Sequence, residues 1–490
     1  MADERVGDGP RFRAAEMGLS RSAMGKLFFG RGEETVDDGG RLGPLATTDA
    51  EPMSSTQRRV VITGVGVVSP LGNTKEALWE ALWRGQSGVR PLSAVSSQDL
   101  PVAFAAEATQ FHGQIDDFGP LEKGQTKAIR KALKVMCRES QMGVASAQLA
   151  LADAGLSPGD VDPERTGISF GTDYMLSVPE EFTEGIRQCL DERGRFEFSR
   201  WGTDGLPKMS PLWLLKYLPN MPASHLAIFN DFRGPNNSLT LREAAANAAV
   251  AEARQIILRG SADVMLAGAT GTRIHPMKMV HAAQQEELAA RNGDPTRASR
   301  PFDRDRTGMV LGEGAGTIVL ETLSAAQARG AEIYAEVVAG ASGSAVGRNF
   351  LARRGRAMVN VLRAVLHDAG AGPDDIGHLH AHGLSTRSAD IEEAQAIHEV
   401  FGQRAKPLPV VAAKSHFGNL GAGSGIVELV ASLLALRHDR LFPLLNYENP
   451  DPECPVAGVA GARDGAGDSF VNLNVTPQGQ AAAVMIQRLG

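Results

Sequence analysis

The chain is poor in the residues that mark several protein classes. Its 490 residues include only three cysteines, Cys137, Cys189 and Cys454. Their spacing fits neither a disulfide framework nor a metal-ligand set. A reduced, cytoplasmic setting is the simplest expectation, with each cysteine serving as a small buried apolar residue. Positive charge is also in deficit: the formal net charge is -7. That argues against nucleic acid as a partner, because phosphate binding needs a basic face. No apolar run approaches the roughly 20 residues of a membrane helix, and the N-terminus lacks the apolar stretch of a secretory signal. No membrane partner is expected.

What is present is mostly alternation of strand and helix. Residues 1–57 stand apart, mixing Gly, Arg, Asp and Glu around one short apolar patch, Leu27-Phe28-Phe29. They read as a disordered extension, and Met53, just before the first clear strand, is a candidate second start. The run from Arg59 to Ser69 is β-branched and suited to a buried strand that ends in a Gly turn. A helix is expected over 75–84, and one long amphipathic helix over 127–154, stopped at Gly155. Strands follow at 166–170, 262–267 and 316–321, with a helix starting near Glu243. Gly312-Glu-Gly-Ala-Gly316 reads as a tight turn. A second series repeats the alternation: strand 333–340, helix 354–369, strand 378–380, helix 390–400, strand 409–412, helix 424–436, and strands 470–474 and 482–487. The pattern predicts an α/β protein with mostly parallel sheets, divided into halves at 58–325 and 326–490.

Six segments then carry a specific likeness, in order along the chain: RRVVITGVGVVSPLG from Arg58, SPLWLLKYLPNMPASHLAIFNDFRGPNNS from Ser210, GSADVMLAGAT from Gly260, RPFDRDRTGMVLGEGAGTIVLE from Arg300, HAHGLSTRSADIEEAQAI from His380, and AAKSHFGNLGAGSG from Ala412. Together they resemble the β-ketoacyl-acyl-carrier-protein synthases, a family of condensing enzymes. The resemblance implies a thiolase-like, five-layered fold built from two similar βαβαβαββ halves. It also implies an acyl carrier protein as partner and a homodimer, or a heterodimer with a cysteine-bearing ketosynthase. No cofactor is implied beyond the phosphopantetheine arm of that carrier.

The resemblance assigns roles residue by residue. Counting from Gly234-Pro235, the family's nucleophilic cysteine falls at Glu243, and the alignment continues without a gap into Gly260–Asp263. A helix N-terminus favours a thiolate there and favours a carboxylate for the same reason. A carboxylate, however, attacks a thioester poorly and would give a labile anhydride. His382 matches the first family histidine, Lys414 the family lysine, and Asp390 and Glu393 the acidic positions. Asn419 stands for the second histidine and retains an N–H that can polarise a thioester carbonyl. Thr386, Asp390 and Thr476 are candidate substrate contacts. The family's mobile Gly-Phe-Gly-Gly loop is replaced by Asn474–Gln480, where Pro477 removes an N–H. Lys123, Lys127, Arg130, Lys131, Lys134 and Arg138 form a basic stretch suited to an acidic carrier.

Three functions remain open at this level, all in fatty-acid or polyketide-type biosynthesis. The first is decarboxylation of malonyl-carrier protein without condensation, with Lys414 ordering His382 and the acidic residues and a protonated Glu243 delivering the proton. The second is a non-catalytic, chain-length-factor-like subunit. The third is ordinary 3-oxoacyl synthesis, which family naming suggests. Bland readings stand beside these: Glu243 ion-paired in a dead pocket with Arg242, His382 and Asn419 structural, and the basic stretch a solvated helix face.

Overall fold

A computed structural model describes residues 58–490; the expected disorder of residues 1–57 lies outside them. The organising element is one 11-stranded sheet whose order repeats. From its middle toward one edge run Val60–Val68, Glu313–Thr322, Val264–Thr272, Thr166–Thr172 and Asn236–Thr240. Toward the other edge run Ala335–Ser344, Gln480–Gln487, Ser469–Val475, His378–His380, Pro409–Val411 and Ala457–Gly458. Each series therefore places its first strand beside its last, then the penultimate, then the second and third. Val60–Val68 joins the two series by antiparallel pairing of Val61 and Ile62 with Glu336 and Ala335. The fold is thiolase-like, with the duplicated halves expected from sequence.

Helix burial explains the layers. Ala245–Leu258 is buried over most of its surface, and every residue of Ser424–Leu436 is buried. A helix apolar all round belongs inside. These two helices pack on each other and on strands of both series, forming a middle layer. Arg138–Asp153 covers the outer face of the first series, and Arg354–Ala369 with Arg387–Phe401 covers that of the second. Five layers result: helix, sheet, helix, sheet, helix.

Several local expectations are corrected. The predicted helix over 127–154 is two helices, Lys123–Ala132 and Arg138–Asp153, separated at Met136 and Cys137 by extended backbone. The break turns Met136 into the core, although no Gly or Pro announces it. Gly312–Gly316 is no tight turn. Glu313–Thr322 is a ten-residue buried strand, and its glycines admit close neighbours: a Cβ on Gly314 would lie 2.8 Å from the Val68 carbonyl oxygen and 2.9 Å from Leu420 Cδ1. Among the described residues, no helix is long and apolar enough to cross a membrane.

The first strand meets its covering helix with no space between them. A Cβ on Gly66 would sit 2.0 Å from the carbonyl oxygen of Ser146 and 2.5 Å from the amide nitrogen of Ala150. Gly66→Ala should therefore push the helix off the sheet and cost about 1–3 kcal/mol. Chemical denaturation reads this as a lowered midpoint at unchanged slope; an unchanged midpoint would show that the helix yields freely.

Candidate active site

The two middle-layer helices begin side by side, and the candidate residues gather at their N-termini. Glu243 lies in the 3-10 turn Arg242–Ala244 that leads into Ala245–Leu258. Arg242 adopts a left-handed φ of 51° and thereby turns the chain into the helix. Asn419 lies in the glycine-rich bend before Ser424–His438. From the strand ends come Asp173 after Thr166–Thr172, Arg273 after Val264–Thr272, His382 after His378–His380 and Lys414 after Pro409–Val411. Strand C-terminal ends facing helix N-termini are the usual crevice of α/β folds.

Glu243 is 1% exposed and forms an ion pair with Arg273, also 1% exposed. Its Oε1 accepts from Arg273 and, at 3.1 Å, from the Asn419 Nδ2. Arg242 approaches Oε2 at 3.5 Å and pairs with Glu286 at 2.9 Å. Burial opposes the Glu243 charge, but Arg273 and Arg242, helped by the Asn419 hydrogen bond, outweigh it and hold the carboxyl well below the usual carboxylate range. Glu243 is therefore ionised and has no proton to give, contrary to the expected proton delivery. The bland expectation of a pair with Arg242 is right in kind, but Arg273 is the main partner.

His382 belongs to a second buried unit. Lys414 Nζ pairs with Glu428, lies 3.3 Å from His382 Nδ1 and donates to the His382 carbonyl at 2.9 Å. Asn474 Nδ2 donates to Glu428 at 2.7 Å and stands 3.5 Å from the same Nδ1. Burial and the Lys414 charge press the His382 pKa far below its ordinary value, against the pull of Glu243. The ring is neutral. With donors facing Nδ1, the hydrogen-bond network assigns its proton to Nε2.

The remaining assignments separate. Asn419 is oriented by its Oδ1, which accepts from Gly421 N at 3.0 Å and Ser424 Oγ at 3.1 Å. Asp390 is not a substrate contact: it is fully buried and accepts from the backbone of Phe302 and Leu384 at 2.9 and 3.0 Å. Glu393 likewise accepts from His382 N and Gly383 N at 2.6 and 2.8 Å, while burial pushes its carboxyl up to about 8. Lys414 thus orders His382 with Glu428, not with those acidic residues. Thr476 is buried in the hairpin turn, its hydroxyl taken by Gln480 N at 3.3 Å, so it too is structural. Thr386 does border a cavity of about 290 Å³, with Glu286, Arg354, Leu384, Ser388 and Pro477. Lys123, Lys127, Arg130, Lys131 and Lys134 are all exposed, but Arg138 turns inward to Glu313 at 2.6 Å.

Sequence reading missed Arg273, Asp173, Glu428 and Asn474. One signal was available for Arg273: it is a charge placed directly after a nine-residue, uncharged buried strand, and such a charge demands a partner.

Comparison with known proteins decides the family. Residues 57–326 match the N-terminal domain of β-ketoacyl synthases, and residues 334–448 match the C-terminal domain. The chain belongs to the β-ketoacyl synthase family. It is 33% identical over 406 residues to 3-oxoacyl-[acyl-carrier-protein] synthase 2 of Synechocystis sp., covering 83% of this chain and 92% of that protein. The corresponding protein of Coxiella burnetii is 34% identical over 399 residues, covering 81% and 90%. Among solved structures, the ishigamide ketosynthase/chain length factor superposes with a TM-score of 0.75 at 26% identity, covering 89% of this chain and 100% of that one. The family is one of condensing acyltransferases that act on acyl carrier protein.

Removing one partner of a fully buried ion pair costs about 3–5 kcal/mol, whereas replacing both by apolar groups is often neutral. Arg273→Met should show the full loss, and the double variant Glu243→Leu with Arg273→Met should recover most of it. The Glu243 contribution has a definite pH sign. It is present above about pH 4.3, the unfolded carboxylate value, and is lost only as pH falls through the depressed folded value. Urea titrations at pH 7 and pH 3 check both statements; equal losses in the single and double variants would deny the coupling.

Proposed function

We propose that this β-ketoacyl synthase homologue decarboxylates malonyl-carrier protein without forming a carbon–carbon bond. One observation carries the reading: Lys414 and Asn474 direct donors at His382 Nδ1, which leaves Nε2–H as the ring's own donor. Such a donor stabilises the enolate oxygen as charge develops on it. On this reading the thioester carbonyl rests against His382 Nε2–H and the Asn419 amide. The bond from the α-carbon to the carboxyl carbon breaks, carbon dioxide leaves, and its electron pair becomes the enolate. A solvent proton completes acetyl-carrier protein, because Glu243 is ionised. Position 243, where the resemblance calls for the nucleophilic cysteine, holds a carboxylate locked by Arg273, which supports the absence of an acyl-enzyme. The exposed Lys123, Lys127, Arg130, Lys131 and Lys134 would receive the acidic carrier, and the cavity at Thr386 would admit its arm.

A second reading is favoured by one contact. The Asn419 amide nitrogen is engaged by Glu243 at 3.1 Å and by the Met309 sulfur at 3.0 Å. If substrate does not displace these, the chain is a non-catalytic subunit paired with an intact ketosynthase. Release of carbon dioxide from malonyl-carrier protein separates the two. Decarboxylation predicts release that falls about a hundredfold or more in His382→Ala, by analogy with removal of one oxyanion donor. Release no faster than in the absence of protein would favour the subunit.

A further inference from the structure

The Glu243 network is incomplete in a patterned way. Four buried polar atoms around it make no hydrogen bond, namely Glu243 Oε2, Asp173 Oδ2, Arg273 Nε and Arg242 Nε, although Glu243 Oε2 lies 3.5 Å from Arg242 Nε and Asp173 Oδ2 lies 3.7 Å from the Arg273 guanidinium. Glu243, Asp173 and Arg273 are each at most 2% exposed. Orphaned polar atoms at such depth are costly, so their clustering points to a ligand. The backbone leaves room beside two of them: a Cβ built on Gly421 would find Arg273 Nε at 3.4 Å and Asp173 Oδ2 at 3.7 Å as its closest contacts beyond its chain neighbours.

The chemistry of the four atoms selects the ligand class. An anion would face two carboxylate oxygens, and a cation would face two guanidinium groups. A small neutral molecule that both donates and accepts can meet both kinds of atom, and water is the smallest of these. Glu243 also touches, at 3.1 Å, the Asn419 amide that the thioester carbonyl of the proposed substrates would meet.

We infer that the Glu243–Arg273–Asp173 cluster holds a water for attack on carrier-bound acyl thioesters, giving the chain a hydrolytic activity separate from decarboxylation. The water oxygen forms a bond to the thioester carbonyl carbon while its proton passes to Glu243 Oε2. The oxyanion is held by His382 Nε2–H. The carbon–sulfur bond then breaks, the proton goes to the leaving thiolate, and the products are a carboxylic acid and the free pantetheine thiol. No oxidant or further reactant is needed. The tight pairing with Arg273 makes Glu243 a weak base, so turnover is slow, and it stays ionised throughout the neutral range.

The test uses the full chain with octanoyl-carrier protein, which has no carboxyl group to lose, so its outcome is independent of the decarboxylation reading. Octanoate and one equivalent of thiol should appear faster than without protein, and Glu243→Gln should slow this about a hundredfold, as for loss of a general base. A single turnover of the unaltered chain in ¹⁸O-water should place the label directly in octanoate. Unlabelled octanoate in that first turnover would mean that Glu243 itself attacked, and would overturn the inference. So would hydrolysis no faster than background, or a rate that Glu243→Gln leaves intact. The isotope arm does not depend on the variant folding.

Discussion

A carboxylate cannot be buried at the head of a helix inside a five-layered core unless something cancels its charge. Arg273 does so for Glu243, and much of the site follows from that pair. The helix that begins at Ala245 and the strand that ends at Thr272 bring the two charges together from opposite sides of one layer boundary. Burial would otherwise drive the carboxyl neutral; the adjacent guanidinium groups keep it ionised. An ionised, hydrogen-bonded carboxylate is neither a proton donor nor a useful nucleophile toward a thioester. The residue at rest is therefore an anion.

The second buried unit is arranged to the opposite end. Lys414, Glu428 and Asn474 fix His382 in one tautomer with a donor free. Asn419 belongs to the first unit: its amide touches Glu243 while its oxygen is held by Gly421 and Ser424. On the proposed reading, one unit removes the chemistry that needs a thiol and the other retains the chemistry that needs a polarised carbonyl. Their proximity makes Asn419 the point at which the competing functional readings diverge.

Much of the fold was legible because many of its strands are apolar runs and its inner helices are mostly apolar. Val60–Val68 and Ser424–Leu436 could hardly be anything else. The expectation failed where periodicity carried on through a break, as at Met136, and where glycines signalled a turn but served close packing, as at Gly314. In the site, Glu243, His382, Lys414 and Asn419 were found because each sits in a recognisable local string. Arg273, Asp173, Glu428 and Asn474 were not, because their importance comes from contacts across long stretches of chain. Asp390 and Thr476 were misjudged for a related reason: a polar residue near a motif can be consumed entirely by backbone groups, and only the folded geometry shows that its lone pairs are already taken.

The central claim is that position 243 holds a locked carboxylate and never carries an acyl group. The direct measurement is hydroxylamine quenching of the protein during exposure to octanoyl-carrier protein, followed by peptide mass spectrometry across residues 234–258. The account predicts that Glu243 is recovered unmodified. A hydroxamate at Glu243, the trapped form of an acyl anhydride, would contradict it.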